Sequence, residues 1–285
     1  MNLINGEKRL AKIEHHSAYA FLIYYLIWIC WKGAFIIGGE YRYIVLFIII
    51  CGMAPDFDSV YWFIKKKGKI KNDTTEFQHH LYFWTHWPIS WTPLIIFFII
   101  SLIFNFYPEF FLAPVVGVYG GHLLFDSISC GDGIMWGKIP WKKGSYARYI
   151  NLIPNGTDGY HGIYWEVRYR KTLINKIGTM AVIISIIILT IFFIYTMIDT
   201  FYSTGSPGIS GYYLMPIIFF VLTLIISLKK VPEKFLEEPP EGRYADYRLN
   251  IVYIKGLNDR NRKKHIEKYK SLLEEKGVLE QIKLK

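Results

Sequence analysis

Long apolar stretches alternate with short polar ones along this chain. Stretches that are long enough, or nearly long enough, to form membrane-crossing helices lie at 17–38, 43–63, 87–107, 110–128, 179–200 and 212–228. A helix needs about 20 mostly apolar residues to cross the ~30 Å hydrocarbon core of a bilayer. The clearest stretch, GTMAVIISIIILTIFFIYTMI, contains no charged residue. This pattern predicts an all-α fold, a polytopic membrane bundle of about six transmembrane helices.

The predicted spans divide the chain into four regions. Four spans form a membrane core at 1–128, a cytoplasmic loop region follows at 129–178, two further spans occupy 179–228, and a basic tail covers 229–285. The first apolar stretch follows a charged segment, as in a signal peptide, but it is long and has no convincing cleavage site, so we expect an uncleaved helix. The tail mixes both charge signs with apolar residues at helical spacing, which predicts a surface-lying or solvated helix.

The net charge of +10 is concentrated on one side of the predicted bundle. With the N-terminus in the cytoplasm, all of the 33 Lys and Arg residues except Lys32 and Arg42 fall in cytoplasmic segments. The positive-inside rule therefore predicts that both termini are cytoplasmic, and we expect the plasma membrane of a prokaryote. The basic runs then need only the anionic headgroups of the lipid bilayer as partners, and no nucleic acid partner is expected.

Histidines and aspartates cluster at the predicted inner membrane face. They lie before the first span (His15, His16), after the second (Asp56, Asp58), before the third (His79, His80, His86) and in the last two turns of the fourth (His122, Asp126). Ionisable groups at membrane depth are costly and usually have a partner. A divalent cation would supply the positive charge that buried carboxylates require. Imidazole and carboxylate are also the usual ligands of zinc, manganese and iron.

Each cluster also has an interpretation without a metal. The stretch PDFD fits a turn with capping aspartates, and HHLYFWTHW fits an aromatic belt at the membrane interface. His122 and Asp126 fit a hydrogen-bonded pair between helices. The convergence of all these clusters on one membrane face favours a site for one or two divalent ions. Zinc is the expected metal, with manganese or magnesium as alternatives.

In these motifs the chain resembles the YdjM-type integral-membrane proteins, a family described as membrane-bound metal-dependent hydrolases. The stretches EHHSAYA, MAPDFDS, QHHLYFWTHWP and GGHLLFDSISCGDGIMWGKIPW match the family's motifs in their order and in their spacing relative to the spans. The resemblance covers residues 15–141, about half of the chain. It implies a membrane-bound hydrolase that depends on a metal.

The resemblance also implies a set of metal ligands. They are His16, Asp56, Asp58, His80, His86, His122 and Asp126. His15 stays open as an alternative to His16. His79 stays open as an alternative to His80, because the histidines of QHHLYFWTHWP are spaced differently from those of the family motif.

Two further roles follow from the same motifs. Asp56 and Asp58 are expected to take part in catalysis, with Asp56 acting either as a ligand or as a general base. Thr85 is expected to orient a ligand from behind.

Together these features predict a hydrolase in which metal-activated water attacks a phosphoester or a lipid-linked substrate at the inner membrane face. Lys142, Lys143 and Arg148 are expected to bind this small-molecule or lipid substrate, because they lie in a basic loop near the same face. The main alternative is a membrane transporter or a non-catalytic metal-binding protein, since intramembrane His and Asp also form ion pathways. A transporter needs polar groups in both halves of the bilayer. Spans five and six offer only Tyr, Thr and Ser, and the predicted outer half lacks His and Asp apart from Asp199 at its edge.

Overall fold

The computed structural model describes residues 13–65, 83–129, 134–137, 149–150, 170, 172–206, 208–228, 248–249, 251–256 and 259–283. The helices of the first half are α1 (Ile13–Lys32), α2 (Arg42–Met53), α3 (Phe57–Lys65), α4 (Thr92–Ile103), α5 (Pro108–Val115) and α6 (Leu124–Ser129). A π-helical segment, Val116–Leu123, joins α5 to α6 and is called the π segment below. Short 3-10 turns lie at Gly39–Tyr41, Ala54–Asp56, Trp84–His86 and Pro88–Trp91.

The second half of the chain contributes two long helices and several short elements. The helices are α7 (Leu173–Thr204), α8 (Gly211–Ser227), α9 (Ile251–Gly256), α10 (Asp259–Lys268), α11 (Lys270–Glu275) and α12 (Val278–Lys283). The strands β1 (Ile134–Met135) and β2 (Tyr149–Ile150) form one short antiparallel pair.

The expected helical membrane architecture is confirmed in its coarse form. Three helical stretches in the described part of the chain are long and apolar enough to cross a membrane: Gly39–Tyr61, Pro108–Ile128 and Leu173–Thr204. Two shorter apolar helices lie at Pro88–Ile103 and Gly211–Ser227. The first predicted span, 17–38, overlaps α1, a helix of 20 residues that begins at Ile13 and ends at Lys32.

Local sequence signals set the limits of α7, the longest helix described. The hydroxyl of Thr172 accepts a hydrogen bond from the backbone N–H of Asn175 at 3.3 Å, a typical N-cap that satisfies a free donor of the first turn. Gly205 ends the helix with φ 74°, a left-handed conformation that glycine adopts without steric cost. Between these signals the helix is uninterrupted.

Helix α1 packs against α2, the π segment and α7. Its buried side chains include Phe21, Tyr24 and Trp28. Glycines bring the backbones closer near its N-terminal end. A Cβ atom on Gly52 of α2 would lie 2.8 Å from the Cβ of Ala20, and one on Gly121 of the π segment would lie 2.5 Å from the same atom. Because small residues allow membrane helices to approach closely, three backbones meet where α1 carries His16.

An ion pair ties the other end of α1 to α5. Lys32 Nζ contacts Glu109 Oε1, and the hydroxyl of Tyr24 donates to the backbone carbonyl of Glu109 at 2.9 Å. Glu109 is only 6% exposed, so its carboxylate needs such a partner. The pair fixes α1 relative to the continuous helix that contains α5, the π segment and α6.

The tail forms several short helices rather than the single surface-lying or solvated helix that its sequence pattern predicts. Residues 248–249, 251–256 and 259–283, called the tail unit below, form four short helices around a shared core. That core buries Leu249, Ile254, Leu273, Val278 and Leu279. Gly277 adopts φ 62° between α11 and α12 and allows the chain to turn back. The side chain of Arg262 donates to the last carbonyls of α9, to Ile254 at 3.2 Å and to Lys255 at 2.9 Å.

Candidate metal centre

Six of the predicted site residues converge in the described structure. They are His16, Asp56, Asp58, His86, His122 and Asp126. His86 and His122 are fully buried, and Asp126 and Asp56 are 1% and 2% exposed. Polar groups enclosed in this way must satisfy one another or hold an ion.

Three of the six elements that carry these residues are not α-helical. Asp56 ends one 3-10 turn, His86 ends another, and His122 lies in the π segment. Pro55 lies in the first of these interruptions and Pro114 precedes the π segment, and proline removes a backbone donor from a helix. Irregular backbone at membrane depth is tolerated where protein buries it, and π segments are frequent at functional sites. The backbone irregularities and the polar cluster therefore coincide.

Hydrogen bonds fix the turn that carries His86. The hydroxyl of Tyr119, in the π segment, donates to the carbonyl of Pro88 at 2.6 Å. The indole N–H of Trp91 donates to the carbonyl of Thr85 at 2.7 Å. Because Thr85 and Pro88 lie on either side of His86, these two bonds hold the backbone before and after it.

Backbone carbonyls orient two of the three imidazoles. The Nδ1 atom of His16 lies 3.1 Å from the carbonyl oxygen of Gly121, and the Nδ1 atom of His122 lies 2.8 Å from that of Gly52. A carbonyl oxygen can only accept, so each Nδ1 carries a proton and donates it. In the neutral ring the other nitrogen, Nε2, then has a free lone pair. Both Nε2 atoms can therefore act as ligands for a metal ion.

Asp58 and Thr85 orient the third imidazole. The Nδ1 atom of His86 lies 2.9 Å from Asp58 Oδ2, and the hydroxyl of Thr85 donates to the same oxygen at 2.8 Å. Asp58 therefore contacts the nitrogen of His86 that points away from the cluster centre. The sequence predicted Asp58 as a ligand with a part in catalysis, whereas in the structure Asp58 contacts Nδ1 of His86, on the side of the ring away from the cluster centre. The Thr85 hydroxyl lies beside both Asp58 Oδ2 and His86 Nδ1, at 2.8 Å and 3.4 Å, and its role in orienting a ligand stays a prediction.

The Nε2 atoms of all three histidines face the cluster centre. His86 Nε2 and His122 Nε2 lie 3.2 Å apart. Asp126 Oδ1 lies 3.1 Å from His16 Nε2, and Asp126 Oδ2 lies 3.1 Å from His122 Nε2. Asp56 Oδ1 completes the cluster at 3.6 Å from His86 Nε2 and 3.8 Å from His122 Nε2.

This arrangement is electrostatically suited to a cation. With a proton on each Nδ1, nitrogen lone pairs and carboxylate oxygens face one another across about 3 Å, and such groups repel unless positive charge lies between them. Ligands held at about 2.0–2.2 Å from a common zinc ion are themselves roughly 3–3.5 Å apart. The shorter separations in the cluster match that range. The donor set, imidazole with carboxylate, also suits zinc or manganese.

The donor atoms fall into two overlapping groups. One contains His16, His122 and Asp126, and the other contains Asp56, His86 and His122, with the atoms of each group within 4.8 Å of one another. His122 belongs to both. Because its Nδ1 is engaged by Gly52, its Nε2 is the donor in each group. His122 is therefore the residue on which both halves of the centre depend.

The structure separates His16 from its neighbour His15. Both side chains are buried, but the ring of His15 packs against Gly178 of α7 and lies edge-on to Tyr19, with ring centroids 6.4 Å apart. The ring of His16 instead stacks on that of His122, with centroids 4.1 Å apart. Of the two alternatives left open by the sequence, His16 is the one in the cluster.

Other predicted site residues lie outside the described part of the chain. These are His80 with its alternative His79, and the three basic residues expected to bind substrate, Lys142, Lys143 and Arg148. Their roles stay predictions.

Sequence analysis missed the contributions of Gly52 and Gly121, whose carbonyls orient the histidines. The sequence does contain a signal for Gly121. Gly117 and Gly121 are four residues apart in an apolar stretch, a spacing typical of close helix contacts in membranes. A Cβ on Gly117 would lie 2.5 Å from the Cβ of Cys51. The close approach of the backbones at these glycines also brings the carbonyl of Gly121 within hydrogen-bonding distance of His16.

We expect Asp58→Asn to weaken metal binding about 10–100-fold, because a neutral amide lacks the negative charge that would make His86 a better ligand. Thr85→Val should have a smaller effect in the same direction. Competition titration with a chromophoric chelator measures both. The matched control is Ser59→Ala, whose hydroxyl meets the other oxygen of Asp58 at a long 3.4 Å and should leave the affinity unchanged. Equal affinities for Asp58→Asn and Ser59→Ala would contradict the orienting role.

Comparison of the chain with models of protein families, with curated proteins and with solved structures gave no match.

Proposed function

We propose that this chain is a membrane-embedded metal-dependent hydrolase. The observation that carries the proposal is the buried convergence of three imidazole Nε2 atoms with the carboxylates of Asp56 and Asp126, each Nδ1 being held by a separate acceptor. Polar residues that only hold membrane helices together rarely place so many hydrogen-bond acceptors facing one another at membrane depth. The motif order that resembles the YdjM-type family supports the same conclusion.

The proposed ligands are His16, Asp56, His86, His122 and Asp126. Zinc is the expected metal, with manganese or magnesium as alternatives and with room for one or two ions. A bound divalent ion supplies an activated water whose pKa falls towards about 7. Asp56 contributes either a ligand oxygen or a general base, because its Oδ1 is the most distant donor in the cluster. Asp58 and Thr85 hold His86 in the orientation that directs Nε2 to the centre.

The proposed substrate is a phosphoester or a lipid-linked molecule at the inner membrane face. Helix α3 supports this placement, because it carries Asp58 on a buried face while Phe57, Val60 and Ile64 are exposed at helical spacing on another. An apolar stripe of this kind suits contact with lipid. The site residues are thus presented next to a lipid-facing surface, and the basic loop at 142–148 would bind an anionic group.

The proposed topology has six spans, with both termini and the metal centre on the cytoplasmic side. The distribution of Lys and Arg supports this orientation. Single cysteines placed at Gly68 and Ser203, in a variant without the native cysteines, should be labelled from opposite sides of the membrane. Labelling from the same side would contradict the topology.

The experiment that tests the hydrolase uses purified, detergent-solubilised protein with a panel of phosphodiesters and phospholipids in the presence of Zn, Mn or Mg. We expect product release that chelation abolishes and added metal restores. Asp126→Asn should lose this activity, whereas Asp199→Asn, a change in an exposed carboxylate far along α7, should retain it.

Three outcomes contradict the proposal in different ways. Release that resists chelation, or that survives in folded Asp126→Asn, argues against metal-dependent hydrolysis. Tight metal binding without release from any substrate indicates a transporter or a non-catalytic metal-binding protein. A metal content below about 0.2 equivalents that His122→Ala does not change shows a polar cluster with only a structural role.

A further inference from the structure

The tail unit consists of short helices around a small core. Its helices are 6 to 10 residues long, and isolated helices shorter than about 12–15 residues are marginal in water. Among the residues that the structure describes, its core fully buries five aliphatic side chains. A contact with another part of the chain would stabilise a unit of this size.

That contact comes from the membrane part of the chain. The side chain of Trp87 packs against the core of the tail unit, together with Ile251, Ile266, Tyr269, Leu272 and Ile282 of the tail itself. Trp87 is the one described residue outside the tail that joins this cluster. A tryptophan side chain buries more apolar area than any other and often dominates such contacts.

Trp87 directly follows His86, a proposed metal ligand. Its backbone is extended (φ −101°, ψ 116°) between two 3-10 turns, and its N–H donates to the carbonyl of Trp84 at 3.1 Å. Its own carbonyl accepts from the N–H of Ser90 at 2.9 Å, which starts the next turn. A shift of the Trp87 backbone would therefore disturb the turn that positions His86.

The two neighbours face different surroundings. The ring of His86 is fully buried in the polar cluster, whereas that of Trp87 lies in the apolar cluster of the tail unit. This short segment thus joins the metal centre on one side to the tail unit on the other.

We propose that the tail unit holds the His86 turn in place through Trp87, so that metal binding and folding of the tail unit are coupled. Trp87 is then a positioning residue, which acts on the metal through His86. The inference rests on the metal centre proposed above. Coupling of this kind is reciprocal: if an ordered tail unit tightens metal binding by some factor, bound metal favours the ordered tail unit by the same factor.

The test disrupts the contact from each side in the full-length protein. Trp87→Ala removes the indole, and Leu273→Asp places a charge in the core of the tail unit, far along the chain from every proposed ligand. Each variant should weaken the affinity for Co²⁺, measured by competition with a chelator, by about tenfold, as loss of a group supporting a ligand does. In the reverse direction, removal of metal from the wild-type protein should speed proteolysis within the tail unit by a similar factor.

Matched controls separate this effect from a general loss of structure. Trp84→Ala removes an indole from the same turn, but that side chain is 56% exposed and should have little effect. Ser271→Asp introduces the same charge on the exposed side of α11. Both controls should bind Co²⁺ as tightly as the wild type and keep a protease-resistant tail unit.

The outcomes distinguish this inference from the proposed function. If the wild type binds metal and Trp87→Ala and Leu273→Asp bind it equally tightly although proteolysis shows an opened tail unit, the coupling is wrong and the metal centre stands. If Trp87→Ala leaves the tail unit as resistant as before, the contact itself is wrong. If the wild-type protein binds no Co²⁺, both proposals fall. Should Leu273→Asp fail to accumulate, Trp87→Ala decides the question, since it changes no residue of the tail unit itself.

Discussion

His122→Ala is expected to lower the metal content of the purified protein from about one equivalent or more to a trace, with an affinity at least 100-fold weaker. Mutation of a residue that only orients a ligand lowers metal affinity about 10–100-fold. Loss of a ligand atom itself should lower the affinity by more. The measurement is elemental analysis of the protein after dialysis, together with competition titration.

The position of His122 explains why this change should have the largest effect on metal binding. Its Nε2 is shared by both groups of donor atoms and lies within 3.2 Å of donors from His86 and Asp126. Removal of His16 or Asp56 leaves one group complete, whereas removal of His122 leaves two donors in each. Alanine also frees the carbonyl of Gly52, but this costs far less binding energy than the loss of the ligand.

The matched control is His15→Ala. His15 is as buried as the site histidines, is adjacent to His16 and belongs to the same residue type, yet its ring packs against Gly178. Its removal should leave the metal content of the folded protein unchanged. If His15→Ala and His122→Ala lose metal equally, or if neither loses it, the assignment of ligands is wrong.

The sequence predicted the members of the cluster better than their roles. His86, His122 and Asp126 were recognisable because each lies at the cytoplasmic end of a predicted span, so all three were expected at the same membrane face. Their convergence requires only that the helices pack side by side. Asp58 was not distinguishable from Asp56, because alternation along a short segment places both carboxylates on one side, whereas the structure has a helical turn there that sends Asp58 behind His86.

Sequence patterns do not predict the backbone geometry and the hydrogen-bond partners of the histidines. Hydropathy identifies an apolar stretch but not a change from α-helical to π-helical backbone within it, so the π segment that carries His122 had no clear signal. The acceptors of the Nδ1 protons, Gly121 and Gly52, lie 105 and 70 residues from their histidines. Such partners depend on how helices pack. The tail unit was missed for a related reason, since its core is completed by a tryptophan from a distant part of the chain.

Gly121→Ala is expected to destabilise the protein and to weaken metal binding together. The new Cβ would lie 2.5 Å from the Cβ of Ala20 and 2.7 Å from its Cα and N. Backbone atoms cannot move aside by a change of rotamer, so α1 itself must shift. Overpacking of this kind costs about 1–3 kcal/mol, which outweighs the roughly 1 kcal/mol that alanine gains over glycine within a helix. The shift also separates the carbonyl of Gly121 from His16, so the metal affinity should fall about tenfold.

The adjacent glycine, Gly120, provides a control for which alanine is expected to leave stability unchanged or to raise it slightly. A Cβ on Gly120 would meet Ile23 Cδ1 at 3.5 Å, an ordinary van der Waals contact. Gly120→Ala should therefore keep the metal affinity and leave thermal stability unchanged or slightly raised, because only the helix propensity changes. Adding Ala20→Gly to Gly121→Ala should restore part of the lost stability, since it removes the closest atom but leaves the backbone contacts. Equal melting temperatures for Gly120→Ala and Gly121→Ala would mean that α1 and the π segment do not meet at these residues, and the orientation of His16 would then have no structural basis.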